Sequence, residues 1–133
     1  VPKLAECRFG AFEGKTYEEL RDDAVYRRWI ASDGRSAVPG GEDSASFRSR
    51  CRKGFEQMVE MAFARGCGRV AAVVHGGSIM AILERFAPGA PDFYRWQVPN
   101  CSGFVVDVDA HVWRDRRQIG EPQKIMPVRA DIC

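Results

Sequence analysis

Histidine occurs twice in this chain, as His75 and His111, and the two stand in different company. His75 follows Val70-Ala71-Ala72-Val73-Val74 and precedes Gly76-Gly77-Ser78, so it closes an apolar, β-branched run where a helix begins. The first N–H groups of a helix have no acceptor inside it and carry the positive end of its dipole, and glycines let an anion approach them. A phosphate suits such a place; so does the plainer role of a histidine satisfied by hydrogen bonds at a strand end. A different chemistry uses the same letters. H-G-G after an apolar strand forms the oxyanion hole of lipase-like hydrolases, which also need G-x-S-x-G downstream. None follows Ser78, and Asn100-Cys101-Ser102-Gly103 does not supply it. The five cysteines, at positions 7, 51, 67, 101 and 133, are scattered, without C-x-x-C or zinc-knuckle spacing. They fit reduced thiols in a cytoplasmic protein and point to no metal.

The elements that must hold His75 are legible in part. Leu4 to Gly14 has no periodicity and reads as an ordered loop. Thr16 with Glu19 makes a capping box ahead of one helix over Tyr17–Ala31. After Pro39-Gly40-Gly41, Glu42-Asp43-Ser44 offers acceptors for a second helix. Its stripe of Phe47, Cys51, Phe55, Met58, Val59, Ala62 and Phe63 runs along Ser44–Arg65, with Gly66 as its cap. The opposite face, with Arg48, Arg52, Lys53, Glu56 and Glu60, reads as solvated. Arg69–His75 lacks polar alternation and predicts a strand covered on both faces. A helix from Ile79 to about Phe86 follows, then a Pro- and Gly-rich loop, Ala87 to Asp92. Phe104–Asp109 and His111–Ile119 read as an edge hairpin turning at Asp109-Ala110, with an irregular tail from Gly120. His111 and the charged run Arg114, Asp115, Arg116, Arg117 then fall on an edge strand, where charge discourages aggregation. Strand, turn and helix in this order make an α/β domain, thin for its covering helices.

Size and charge narrow the partner. With 133 residues, 45% of them hydrophobic, one domain with one core is expected. A balance of 20 basic against 18 acidic residues, net +2, is far from a nucleic-acid-binding composition. No apolar run approaches the roughly 20 residues a membrane helix needs. There is no secretory-type leader, and the opening on Val1 rather than methionine sets the expectation that the natural start lies elsewhere.

Taken together, Leu4-Ala5-Glu6-Cys7-Arg8-Phe9-Gly10-Ala11-Phe12-Glu13-Gly14 through Leu20, Pro39-Gly40-Gly41-Glu42, Val73-Val74-His75-Gly76-Gly77 and Asn100-Cys101-Ser102 resemble, in order and spacing, the histidine phosphatases. Within them the chain looks most like bacterial phosphoglycerate-mutase-like phosphatases, including the α-ribazole phosphatases of cobalamin synthesis. The resemblance implies a three-layer α/β/α domain of the phosphoglycerate-mutase type, of which residues 1–133 are the C-terminal part, incomplete at the N-terminus. The family's R-H-G motif, whose histidine attacks phosphorus, is not in the sequence, nor is the further arginine that holds the phosphoryl group.

The resemblance assigns Glu6 as proton donor to the leaving oxygen and His75 as the second histidine. Phosphoryl transfer needs a positive cradle for the equatorial oxygens and an acid for a poor alkoxide leaving group. His75 as imidazolium and the Gly76 N–H would form part of that cradle; burial of Glu6 beside an anionic substrate would favour its protonated form. Glu42 either lines the substrate pocket or serves as a favourable acid at a helix start. Arg27 and Arg28, beside Trp29, could reach an anion, but surface arginines on a helix are the commoner case. The expected partner is a small phosphorylated substrate, with no nucleic acid, no membrane and no cofactor. The first hypothesis is therefore a phosphatase part lacking its nucleophile; the second, a non-catalytic relative that binds a phosphorylated ligand or a protein; a mutase ranks third, for want of a longer insertion at Ala31–Val38. A sheet lacking its central strand would expose apolar surface, which a homodimer could cover.

Overall fold

The computed structural model describes residues 1–89 and 92–127. Its spine is helix α3, Ser44–Ala64, capped by the Asp43 side chain accepting from the Ser46 N–H at 2.9 Å. The apolar stripe of α3 meets helix α4, Gly76–Phe86. Phe55 and Val59 of α3 pack with Ile82, Leu83 and Phe86 of α4, and Leu4, Trp96, Trp113 and Ile119 complete this core. A smaller cluster of Phe47, Cys51, Ala81 and Phe93 extends it toward the N-terminal ends of both helices. A third, separate cluster holds the 9–38 region together, with Phe12, Leu20 and Val38 against Phe9, Val25, Tyr26 and Trp29.

The expected first helix is two. The Thr16–Glu19 capping box opens α1, Tyr17–Leu20, and Asp23 then caps a new helix, α2, Ala24–Ala31, by accepting from the Val25 and Tyr26 N–H groups. An aspartate that can cap competes with a continuing helix. Helix α4 begins at Gly76, three residues before the expected Ile79, with His75 as its N-cap residue.

Two strand expectations and the expectation of an irregular tail are corrected. Arg69–His75 forms no strand among the described residues; every side chain from Met61 to Val73 except Ala62 is exposed, and Val73 is fully so. A buried strand needs neighbours on both edges and both faces, and among the described residues no strand pairs with this run. His111–Ile119 is instead a helix, α5, Ala110–Arg116: Asp109, read as a turn residue, accepts from the His111 and Val112 N–H groups as an N-cap. That short helix exists because it buries Trp113 completely against Phe55 and Phe86, and Arg117, at φ +50°, ends it. The sheet consists of β1, Gly103–Val105, paired antiparallel with β2, Gln123–Ile125, so part of the tail after Gly120 is ordered against the strand it follows. Two residues of the expected 87–92 loop and the last six of the tail, including Cys133, lie outside the described residues. No helix among the described residues is long and apolar enough to cross a membrane.

The charged face of α3 is also less idle than its sequence suggests. Arg48 and Arg52 both reach Glu84 of α4, at 2.5 and 3.0 Å, and Glu60 accepts from the Trp113 indole N–H and pairs with Arg117. These pairs lock α4 and α5 in register on α3.

Candidate active site

The loop that carries Glu6 is fixed by its own backbone. Pro2–Leu4 forms a 3-10 turn that lays Leu4 into the main core. A Cβ on Gly54 would meet Leu4 Cδ2 and Lys3 Cβ at 2.9 Å, so only glycine lets the turn lie this close to α3. The fully buried Ser78 hydroxyl, in the first turn of α4, donates to the Leu4 carbonyl at 3.2 Å. Arg50 of α3 supplies the rest. Its guanidinium donates to the carbonyls of Lys3 (2.9 Å), Ala5 (3.0 Å) and Glu6 (3.1 Å), and to both oxygens of Glu42 (2.9 and 2.7 Å). Planar, multidentate donation of this kind is what arginine does and lysine cannot.

Glu6 and His75, 69 positions apart in sequence, are brought together: Glu6 Oε2 lies 3.2 Å from His75 Nδ1. The other oxygen, Oε1, accepts from the Cys7 N–H at 2.8 Å. A Cβ on Gly77 would stand 3.2 Å from that oxygen and 3.3 Å from the Phe47 ring, so the start of α4 closes directly on the carboxylate. His75 keeps 65% of its side-chain surface in solvent and Glu6 34%. A pair so wet contributes on the order of 0–1 kcal/mol; the frame of Arg50 and Ser78 holds the acid, not its attraction to the imidazole. Gly76 is exposed, with open space where a Cβ would stand.

Glu42 is part of this frame. Its N–H donates to the Arg8 carbonyl at 2.8 Å, and its side chain is only 7% exposed. The hydrogen bonds from Arg50 hold its carboxyl below the usual carboxylate range, against the opposing effect of burial. It also lines a cavity of about 180 Å³ that Glu6, Cys7 and Gly77 share. Burial first, then the Glu42 and Glu6 charges, push the Cys7 thiol up to about 11, so this cysteine is a thiol and not a nucleophilic thiolate near neutral pH. Among the described residues no three His, Cys, Asp or Glu side chains are gathered as metal ligands would be.

An exposed histidine at a helix start, beside a carboxylate held from behind, is an arrangement suited to anion binding and proton transfer. Residues 1–118 match the family model of the histidine phosphatase superfamily (branch 1). The chain belongs to that superfamily. No curated protein and no solved structure matches it. Membership brings phosphatase- and mutase-type chemistry to this histidine phosphatase domain, and a mixed helix-and-sheet architecture agrees with an α/β fold.

His111 is exposed on α5, and its backbone N–H donates to the Asp109 side chain. Arg27 and Arg28 are exposed on α2. The residue that sequence reasoning passed over is Arg50. The available signal was its position directly beside the buried stripe residue Cys51 and one turn after Phe47, where a cation is expected to find a carboxylate or a carbonyl cluster.

Proposed function

We propose that the chain is the C-terminal part of a phosphatase that hydrolyses a small phosphomonoester through a phosphohistidine, with the attacking histidine contributed from outside these 133 residues. The observation that carries this reading is the Glu6 carboxylate 3.2 Å from His75 at the start of α4. His75 and the Gly76 N–H would hold the equatorial oxygens. The attacking imidazole nitrogen bonds to phosphorus as the ester P–O bond breaks; the electron pair leaves on the alkoxide oxygen, which takes the Glu6 proton. Glu6 then accepts a proton from water as that water attacks phosphorus, the N–P bond breaks, and inorganic phosphate departs. The three-layer α/β/α arrangement belongs to the complete domain in this reading. The motif set Leu4–Gly14, Pro39–Glu42 and Val73–Gly77 supports a phosphatase of the α-ribazole type, and the short Ala31–Val38 connection speaks against a mutase.

The test is hydrolysis of an aryl phosphate. The 133-residue chain should show no turnover above a His75→Ala control. The uninterrupted gene product, with an R-H-G-bearing segment, should turn over and lose roughly 10²- to 10⁴-fold on Glu6→Gln. Turnover by the chain alone that His75→Ala abolishes would make His75 the nucleophile and sink this assignment of roles.

A further inference from the structure

The charged run Arg114 to Arg117 does not stand on an edge strand; it closes α5, and there it meets the end of α4. The Ile119 N–H donates to the Phe86 carbonyl at 3.0 Å, which ties the two helix ends together. Between them lies an open cavity of about 450 Å³, lined by Arg85 of α4 and by Arg116, Arg117 and Gln118. This volume falls within the roughly 300–1,000 Å³ of small-molecule sites. The cavity shares no lining residue with the one beside Glu6. Helix α4 separates the two places: His75 is its N-cap and Arg85 stands in its last turn, and 11 residues at about 1.5 Å each put those ends roughly 16 Å apart.

Cations in the last turn of a helix complement its dipole, which accounts for Arg85 on α4 and Arg116 on α5 taken singly. It does not account for three guanidinium groups from two elements lining one concavity. Arg117 is a fixed wall, held by Glu60 and lying over the Trp113 ring at 5.2 Å. Arg116 pairs with Asp115 at 3.3 Å, but the two side chains are 71% and 76% exposed. Such a pair contributes on the order of 0–1 kcal/mol and yields to a better acceptor. Among the described residues no carboxylate pairs with Arg85. The acid in the lining, Glu84, is already bound by Arg48 and Arg52 at 2.5 and 3.0 Å, so the cavity keeps a positive balance.

We propose that this cavity is a second anion site, which takes a small soluble molecule carrying two linked phosphate groups. Guanidinium forks match phosphate oxygens two at a time, and Arg85 and Arg116, one from each helix, would take one phosphate each. The Gly89 and Gln118 N–H groups donate to no described backbone carbonyl and remain available as further donors. A single orthophosphate would leave most of the volume empty. The site stands whether or not Glu6 and His75 carry out phosphoryl transfer.

The whole chain, ¹⁵N-labelled, is titrated with inorganic pyrophosphate at ionic strength held constant with chloride, and separately with orthophosphate. Pyrophosphate is expected to move the amides of Gly89, Arg117 and Gln118 in a saturable way and to bind more tightly than orthophosphate. Arg85→Gln and Arg116→Gln, both at exposed side chains, should each weaken it at least about threefold, while Arg27→Gln on α2 leaves it unchanged. No saturable shifts at these amides, equal affinity for orthophosphate, unchanged affinity in both cavity variants, or the same loss in Arg27→Gln would each overturn the proposal. So would pyrophosphate shifts confined to Gly76 and Gly77, which would place the anion at the histidine instead. Sedimentation with phosphatidylserine vesicles, abolished by Arg116→Gln and unmatched by any response to pyrophosphate, would assign the arginines to a membrane surface and overturn it as well.

Discussion

The two residues that meet at 3.2 Å arrive there by opposite means. Glu6 sits on a loop stapled by Arg50, Ser78 and the Cys7 N–H. His75 ends the run 69–75, in which no amide of residues 69–74 donates to a described backbone carbonyl and Val70 and Val73 stand in solvent. The acid is therefore positioned by side chains of this chain, through contacts that survive without a sheet. The histidine is positioned from its C-terminal side by α4, and from the other side by no more than Val74 at the edge of the main core. A carboxylate that must present one oxygen to a leaving group needs such a frame, because its own attraction to a solvated imidazole is too weak to supply it.

That contrast is broken most severely at Arg50. In Arg50→Ala the Glu42 carboxylate loses its partner while almost fully buried, and three loop carbonyls lose their donor. The expected cost is roughly 3 kcal/mol or more, the lower end of what breaking a buried pair costs, read as a fall in the urea midpoint at unchanged slope. Arg50→Lys should recover only part of it. A change under about 0.5 kcal/mol would mean that the loop is held by Leu4 and Ser78 alone.

The cysteines sharpen the comparison next. Cys7 belongs to the clamped loop, with its thiol up at about 11; Cys67 lies just ahead of the bare run and is exposed. At pH 8 only about one Cys7 in a thousand is thiolate. Cys67 should therefore react with a chromogenic disulfide reagent at least about tenfold faster than Cys7, as peptide mapping of the labelled protein would read. Equal rates would show the Cys7 loop opening on the timescale of labelling.

Much of the frame was legible and much of the sheet was not, for physical reasons. α3 was visible because a 21-residue helix repeats its stripe often enough to outvote any local ambiguity. α4 was announced by its glycine pair. α5 was missed because seven residues give barely two turns, and Val112-Trp113 resemble a strand until Asp109 is recognised as a cap. β2 was missed because its only support is a partner some twenty residues back. The run at 69–75 failed in the opposite sense: its residue types are those of a buried strand, but burial is a property of neighbours, and the described residues provide them only at Val74. Glu6 with His75 came from motif resemblance; Arg50 required coordinates, since its carbonyl acceptors carry no signature in sequence.

Strong acid should loosen the clamp. Glu42 is held below its ordinary value by Arg50, so its contribution is complete above the unfolded value of about 4.3 and is lost as pH falls through the lower folded value. Glu42→Gln should thus lower stability at neutral pH while flattening the acid limb of a stability-against-pH curve. Other lowered carboxylates, the caps Asp23, Asp43 and Asp109 among them, keep their share of that limb. An unchanged limb in the variant would mean that Glu42 and Arg50 are already apart in solution.

The smallest expected effect discriminates most. Val73 is fully exposed, whereas its neighbour Val74 is half-buried and packs against the main core. Val73→Ser should shift the unfolding free energy by less than about 0.5 kcal/mol, as substitutions on open surface do. Val74→Ser should cost more, because it removes apolar contact and brings a hydroxyl to the core edge. Suppose instead that Val73→Ser costs more than about 1 kcal/mol in the same urea titration. The run would then be covered in solution, and a concentration-dependent midpoint would assign the cover to a second copy. His75 would in that case be positioned from both sides, and the asymmetry between acid and histidine would belong to the isolated chain alone.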